Sequence, residues 1–404
     1  GRVMFGAVGA CCPQSGPVNP AGEAAQWEAV QYGIDNGAHV QTSSHSYKNS
    51  FTPPPNYAEG VVREMTEHDA DRALRGIANA WATLRAGFTT VRNVGGTFAD
   101  RALRDAIDAG AVPGPRMLVA NHAITITGGH CDDTHGYQPE VLPNLQDHRA
   151  GVADSPDEVR KAVRHQIKHG ADVIKLCATA GVMSSGDTIG VQQMTLAEMQ
   201  AAVEEAHHAE LRVAAHAHGT EGIRAAIEAG VDSIEHGSML DASTIALMKA
   251  RGTFLVPTLS AGEHVLRAAE SGTLSDASAA KARAIAPRMQ DSLAQAHAAG
   301  VRIALGSDAG VFAHGTNGRE FSLMVAAGMT PMQAIVAGTS GAAALLDRAD
   351  VGRIIKEPLH PYTSALMRST VHPSMRGTVL DLIPGAPPDL AALPPGCAFA
   401  PRCQ

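Results

Sequence analysis

The chain has 404 residues but lacks several features that mark common protein classes. It has no apolar run of about 18 residues, the length that a membrane-spanning helix needs. It has no excess of basic residues, because its formal net charge is -8, and this argues against a surface for nucleic acid or anionic membrane. It also has no Gly-x-x-x-x-Gly-Lys-Ser/Thr sequence, so nothing indicates ATP binding.

Cysteine is scarce, and its spacing matches no zinc finger. The simplest interpretation is reduced thiols in a cytoplasmic protein. The N-terminal apolar stretch is also too short for a convincing signal peptide. The six cysteines are Cys11, Cys12, Cys131, Cys177, Cys397 and Cys403.

What the sequence does have is a repeated order of helix, glycine and short apolar run. Gly170, Gly230 and Gly300 each close a helical stretch, and an apolar run typical of a buried parallel strand follows each glycine. With 45% hydrophobic residues, the chain can bury a large core. The pattern predicts an α/β fold, a (β/α)8 TIM-like barrel. The predicted strands cover residues 89–92, 117–120, 173–176, 212–216, 233–236, 254–257 and 302–306.

These strands number one fewer than a complete barrel needs. Two interpretations stay open for the first strand: it is missing, or residues 33–46 supply it with an unusual sequence.

Four predicted strands end in or just before a residue that can bind a metal ion: Lys175, His216, His236 and Asp308. The carboxyl ends of barrel strands converge on one axis, so these side chains should meet. A single histidine after a strand is usually structural, but four such residues in successive units favour a joint metal site.

Several stretches of the chain resemble the amidohydrolase superfamily. Within it they are most similar to the imidazolonepropionase-like branch that contains Xaa-Pro dipeptidases, over about residues 75–346. The stretches are GFTTVRNVGG (87–96), ITITGGHCDD (124–133), ADVIKLCATAGVMSSGD (171–187), VAAHAHG (213–219), DSIEHGSMLD (232–241) and ALGSDAGVFAHGTN (304–317).

The resemblance implies a barrel of the metal-dependent hydrolase type with one or two divalent metals, usually zinc. Lys175, as a carbamate, would bridge the two metals, and His216 and His236 would be ligands. Asp308 would bind metal and take a proton from the attacking water, so Lys175 and Asp308 are the predicted catalytic residues. The reaction implied is hydrolysis of an amide or peptide C–N bond in a dipeptide, Xaa-Pro or N-acyl amino acid substrate. His130 resembles a substrate-contacting histidine of the family.

His218 lies two residues after His216 and is a weaker candidate. It would share the direction of His216 only if the strand continued. We assign it to substrate binding, with a structural role as the alternative. The sequence is also compatible with a homo-oligomer.

The chain departs from this family at both ends. No His-x-His occurs before residue 200, although relatives carry one on the first strand. His39 and His45 are too far apart to share a strand tip. We therefore expect the first strand and the accessory β-sandwich to be altered or missing. From residue 357, EPLHPYTSALMRST and PGCAFAPRC resemble the tail of ATP-binding subunits of oligopeptide and dipeptide transporters.

These departures predict three regions: an atypical segment at 1–60, the barrel at 61–350 and a Pro-rich tail at 351–404. They also leave an alternative to the hydrolase, namely a fusion or frame-shifted product. Such a barrel would be catalytically impaired and would have at most a binding role.

Overall fold

The computed structural model describes residues 40–43, 68–134, 145–184 and 188–346. Strands and helices alternate through most of this part of the chain. The strands are β1 (Val40–Ser43), β2 (Thr90–Asn93), β3 (Arg116–Val119), β4 (Val173–Cys177), β5 (Arg212–Ala217), β6 (Ser233–His236) and β7 (Phe254–Val256).

The helices lie between and after these strands. They are α1 (Asp69–Arg85), α2 (Phe98–Asp108), α3 (Pro156–Lys168), α4 (Leu196–His208), α5 (Thr220–Ala229), α6 (Ala242–Arg251), α7 (Leu259–Glu270), α8 (Asp276–Ala299), α9 (Arg319–Ala326), α10 (Pro331–Val336) and α11 (Ala342–Leu346), with a π-helical turn at Ala337–Gly341 before α11.

All described ladders are parallel, in the orders β1-β2-β3 and β4-β5-β6-β7. The two groups meet where the Asp172 N–H donates to the Val119 carbonyl at 2.8 Å and where Ile124 bridges to Leu176. At the other side, Leu255 of β7 bridges to Ile303. The architecture is therefore the α/β, TIM-like barrel type that the sequence predicts.

Local sequence explains where the helices begin and end. Thr195 caps α4 through its hydroxyl, which accepts from the Glu198 N–H, and the Glu198 carboxylate accepts from the Thr195 N–H. Gly230 ends α5 in the left-handed conformation, with φ of 98°, which a residue with a Cβ atom rarely adopts. These signals set the helix-to-strand spacing, and hence the position of each strand end.

The core lies on both faces of the central strands. Every residue of β4 and β6 is buried, as expected for parallel strands covered by helices. Ile174, Leu176 and Ile234 pack with the apolar faces of α4 and α5 in one large cluster. This packing makes the strand ends a rigid platform for side chains.

Six of the predicted strands are present with boundaries that agree to within one residue, and the strand predicted at 302–306 is reduced to isolated bridges. Only single bridges form there, at Ile303 and Gly306. The physical reason is a competing partner, since the Leu305 N–H donates to the Ala337 carbonyl of the π-helical turn rather than to a ladder. The first strand, left open by the sequence, lies at Val40–Ser43 and pairs with β2.

The prediction of reduced thiols is wrong for Cys131 and Cys177, which form a disulfide. The loop after β3 folds back along β4 and brings the two Cα atoms to 6.1 Å, within the range that a disulfide spans. The other four cysteines, His39, His45 and the tail lie outside the described residues. None of the helices in the described ranges is long and apolar enough to cross a bilayer.

Candidate active site

Three buried histidines meet at the carboxyl ends of β5 and β6. His216 and His236 are the predicted ligands, and His218 follows His216 on the same segment. One ring nitrogen of each lies within 4.8 Å of the others, which no other group of His, Cys, Asp or Glu achieves among the described residues. The ring centroids are 4.7 Å apart for His216 and His236, and 4.8 Å apart for His218 and His236. This spacing suits an ion between His216 and His236, with His218 beside it.

Burial favours the neutral imidazole of His216 and of His218. It lowers the pKa of His218 to about 3, and it holds the pKa of His216 well below its ordinary value, where Coulombic interaction with His130, His236, His218 and Lys175 adds to the effect. A neutral imidazole is the form that binds metal ions. The rings of His216 and His218 are therefore held in the form that can act as a metal ligand.

Hydrogen bonds fix two of the three rings. His218 Nδ1 lies 2.8 Å from the Ser238 hydroxyl, and His236 Nδ1 lies 2.7 Å from the Thr258 hydroxyl. Such contacts to one ring nitrogen are typical of metal-binding histidines, whose other nitrogen faces the ion. In contrast, His216 Nε2 is buried and has no hydrogen-bond partner among the described residues. A buried orphan nitrogen beside two oriented imidazoles fits a metal ion.

Lys175 lies deeper in the barrel, on β4, and is fully buried. Burial lowers the pKa of its ammonium group to about 8, although the Glu235 and Asp308 carboxylates oppose the shift. The low pKa supplies more of the neutral amine, the form that can react with carbon dioxide.

A buried ion pair lies beside Lys175. Arg92 of β2 donates to Glu235 of β6 at 2.6 Å and to Ser233 at 3.0 Å, so the pair spans the barrel interior. Glu235 was not predicted from the sequence, because a carboxylate next to a histidine at a strand end resembles an ordinary outward-facing position of an alternating strand.

Left-handed backbone conformations occur at the end of β6, shortly after β7 and two residues after the Gly306 bridge. The φ angles are 71° at His236, 50° at Thr258 and 57° at Asp308. Adjacent strand residues normally face opposite sides, yet Glu235 and His236 both reach interior partners. The conformation at His236 breaks the alternation, and such strained positions cluster at functional sites.

Asp308 completes the polar part of a pocket that also contains His130 and the three histidines. The His130 ring packs against His216 with centroids 4.2 Å apart and the ring planes tilted by 32°, and the Cys131–Cys177 disulfide joins its loop to β4. The pocket walls are apolar and consist of Val182, Met183, Ala261, Val265, Ile285, Met289 and Val311, with Gly262.

Residues 39–356 match the amidohydrolase family. The chain belongs to the amidohydrolase family. It is 36% identical to ochratoxinase of Aspergillus niger over 303 residues, which are 72% of this chain and 62% of that relative. The chain thus spans less than two thirds of the length of this relative.

Solved structures agree with the family assignment. A Xaa-Pro dipeptidase with bound methionine is 38% identical, with a TM-score of 0.69, over 76% of this chain and 74% of the other. The A. niger ochratoxinase structure is 34% identical, with a TM-score of 0.67, over 77% and 71% of the two chains. The predicted family resemblance is therefore confirmed for the barrel.

The C-terminal resemblance is also confirmed at the level of sequence. Residues 348–404 match the C-terminal region of oligopeptide and dipeptide transporter proteins. A stretch of 66 residues, 15% of this chain, is 43% identical to a putative peptide import ATP-binding protein of Brucella ovis, of which it covers 20%. This part of the chain lies outside the described residues.

Proposed function

We propose that this amidohydrolase family member is a metal-dependent enzyme that hydrolyses an amide or peptide C–N bond in the pocket at the ends of β5 and β6. The observation that carries the proposal is the buried cluster of His216, His218 and His236, in which one ring nitrogen has no hydrogen-bond partner among the described residues. Asp308 lines the same pocket and supplies the carboxylate that hydrolysis needs.

In this proposal His216, His236 and Asp308 hold the ion, with Lys175 as a further ligand when carboxylated. A donor set of imidazole nitrogens and carboxylate oxygens suits zinc. When bound, the ion lowers the pKa of water and polarises the scissile carbonyl. One carboxylate oxygen of Asp308 accepts the proton of the attacking water. His130 and His218 contact the substrate, and the apolar walls limit the access of bulk water.

Substrate class follows from the pocket and from the relatives. The walls accept an apolar side chain, and two similar solved structures are named as a Xaa-Pro dipeptidase and an ochratoxinase. We therefore propose a dipeptide, Xaa-Pro or N-acyl amino acid as substrate.

We keep the domain division as a proposal, with a barrel at 61–350, a segment 1–60 that supplies β1, and a tail at 351–404. The cytoplasmic location and a homo-oligomer remain predictions. The Cys131–Cys177 disulfide is an observation against the former, since disulfides are rarer in the cytosol.

The alternative is an impaired barrel. Lys175 lies in a buried group of charged side chains with Arg92, Glu235 and Asp308. The two basic side chains can balance the charge of the two carboxylates by themselves. If this balance replaces metal binding, the protein has at most a binding role.

Metal content separates the two possibilities. We would measure zinc per chain by inductively coupled plasma mass spectrometry in the wild type and in Lys175→Ala and Asp308→Ala variants. The hydrolase proposal predicts about one to two equivalents, as for mononuclear and binuclear hydrolases, and a clear reduction in both variants. Near-zero metal in the wild type, or metal that neither substitution changes, would favour the impaired barrel.

A further inference from the structure

Glu320, on α9, is a buried carboxylate outside the histidine cluster. Its Oε1 accepts the backbone N–H of Leu259 at 2.8 Å, and its Oε2 accepts that of Ser260 at 2.7 Å. These are the first two residues of α7, and their N–H groups have no partner within the helix. Glu320 therefore joins α9 to the start of α7 by two hydrogen bonds, one to each carboxyl oxygen.

The residue immediately before these two is Thr258, the N-cap of α7. It is β-branched and has φ of 50°, a conformation that is unfavourable for such a side chain. Strain of this kind persists only where the surroundings hold the backbone in place. The two bonds from Glu320 fix the backbone directly after Thr258, so they provide that restraint.

The strained conformation has a visible consequence at the histidine cluster. It places the Thr258 hydroxyl 2.7 Å from His236 Nδ1, and both groups are buried. No helical N-cap bond competes for this hydroxyl, because the Thr258 side chain makes no cap hydrogen bond. The orientation of the His236 ring therefore depends on the turn that Glu320 holds.

We propose that Glu320 is a positioning residue, which acts through the α7 N-terminus and Thr258 to orient the His236 imidazole. The inference rests on the proposed function, in which His236 binds the metal ion. Glu320 itself does not touch the ion or the substrate. A purely structural carboxylate would stabilise α7 without any specific effect on His236.

The test uses the full chain and four variants. Glu320→Gln leaves only one acceptor for two N–H donors. Thr258→Val removes the hydroxyl, whereas Thr258→Ser retains it. The matched control is Glu263→Gln on α7, where a part-exposed glutamate pairs with Arg319 and Arg267.

The first readout is nitrogen NMR of the His236 ring in metal-free protein, assigned by its loss in His236→Ala. We expect Glu320→Gln and Thr258→Val to shift the His236 ring signals, and Thr258→Ser and Glu263→Gln to leave them in place. Unchanged His236 signals in Glu320→Gln would overturn the proposal. This readout needs no metal, so it still decides the inference if the wild type binds none and the proposed function fails.

The second readout is the affinity and visible absorption spectrum of cobalt(II) at the site. Loss of a group that orients a ligand typically lowers metal affinity about 10- to 100-fold, and we expect a decrease of this size in Glu320→Gln and in Thr258→Val. The double variant should bind no more weakly than the weaker single variant, because both act on one chain of contacts.

If the losses of cobalt affinity in the two single variants add up in the double variant, the two residues act independently and the proposal fails. A lower melting temperature with unchanged cobalt affinity would show that Glu320 has only a structural role. If Glu320→Gln does not fold, Glu320→Asp keeps the charge on a shorter side chain and is measured in the same two ways. It should shift the His236 signals in the same direction, and unchanged signals would again contradict the proposal.

Discussion

His216 differs from the other two clustered histidines because its Nε2 atom has no hydrogen-bond partner among the described residues. We expect His216→Ala to lower the bound metal to near zero equivalents, while the solvent-exposed control His208→Ala keeps the wild-type content. Circular dichroism would check that both variants are folded. Equal metal in His216→Ala and the wild type would show that this nitrogen is not a ligand.

The lowered pKa of His122 makes the free energy of unfolding depend on pH. Burial lowers its pKa to about 4 from the ordinary 6.5, so between these values the unfolded chain binds more protons than the folded one. The unfolding free energy should therefore fall as the pH decreases from 6.5 to 4, by about 3 kcal/mol from this residue.

We would compare urea unfolding of the wild type and His122→Leu at several pH values. The difference in unfolding free energy between them should change by about that amount across the window. The exposed control His208→Leu should show no such change. Parallel pH curves for the wild type and His122→Leu would contradict the assigned burial of the neutral ring.

Gly181 belongs to the segment that follows β4, and its backbone lies against His130. A Cβ atom there would be 2.2 Å from the His130 ring. We expect Gly181→Ala to displace the ring, to raise KM several-fold and to leave metal content unchanged, because His130 contacts substrate rather than metal in our proposal. Gly318→Ala is the control, since a Cβ atom there meets nothing within 4 Å. Wild-type KM in Gly181→Ala would argue against a substrate role for His130.

The disulfide joins two elements that are 46 residues apart in sequence. For a loop of this length, the chain-entropy estimate is a loss of about 4 kcal/mol of unfolding free energy when the bond is removed. Guanidinium unfolding of the Cys131→Ala/Cys177→Ala double variant, compared with the oxidised wild type, would measure the loss. A non-reducing digest that yields both cysteines alkylated would show that the bond does not form.

The elements near the site show what the sequence could and could not predict. Short apolar runs after glycine indicated β4, β5 and β6, because buried parallel strands leave a strong local pattern. Neither Thr258 nor Glu320 was identified, since their roles depend on a strained turn and on a contact between residues about 60 positions apart. The strand predicted at 302–306 forms only isolated bridges for a similar reason, because the Leu305 N–H bonds to the π-helical turn.

At the scale of the whole molecule, the family and barrel type were predictable because helix and strand signals repeat across most of the chain. The same repeats placed Lys175, His216, His236 and Asp308 at strand ends, and the structure brings the two histidines and Asp308 into one pocket, with Lys175 below them. The sequence could not show that His218 also belongs to the cluster, because strand alternation alone does not reveal where a strand continues past its end.

The central claim is that this pocket hydrolyses an amide bond with the help of a bound metal ion. We would follow cleavage of a panel of Xaa-Pro dipeptides and N-acyl amino acids by mass spectrometry, before chelation, after chelation and after zinc is added back. The claim predicts cleavage of at least one panel member, loss of that cleavage without metal, and recovery with zinc in the wild type but not in His216→Ala. Cleavage that persists in protein shown to contain no metal, or no cleavage by zinc-loaded protein, would contradict it.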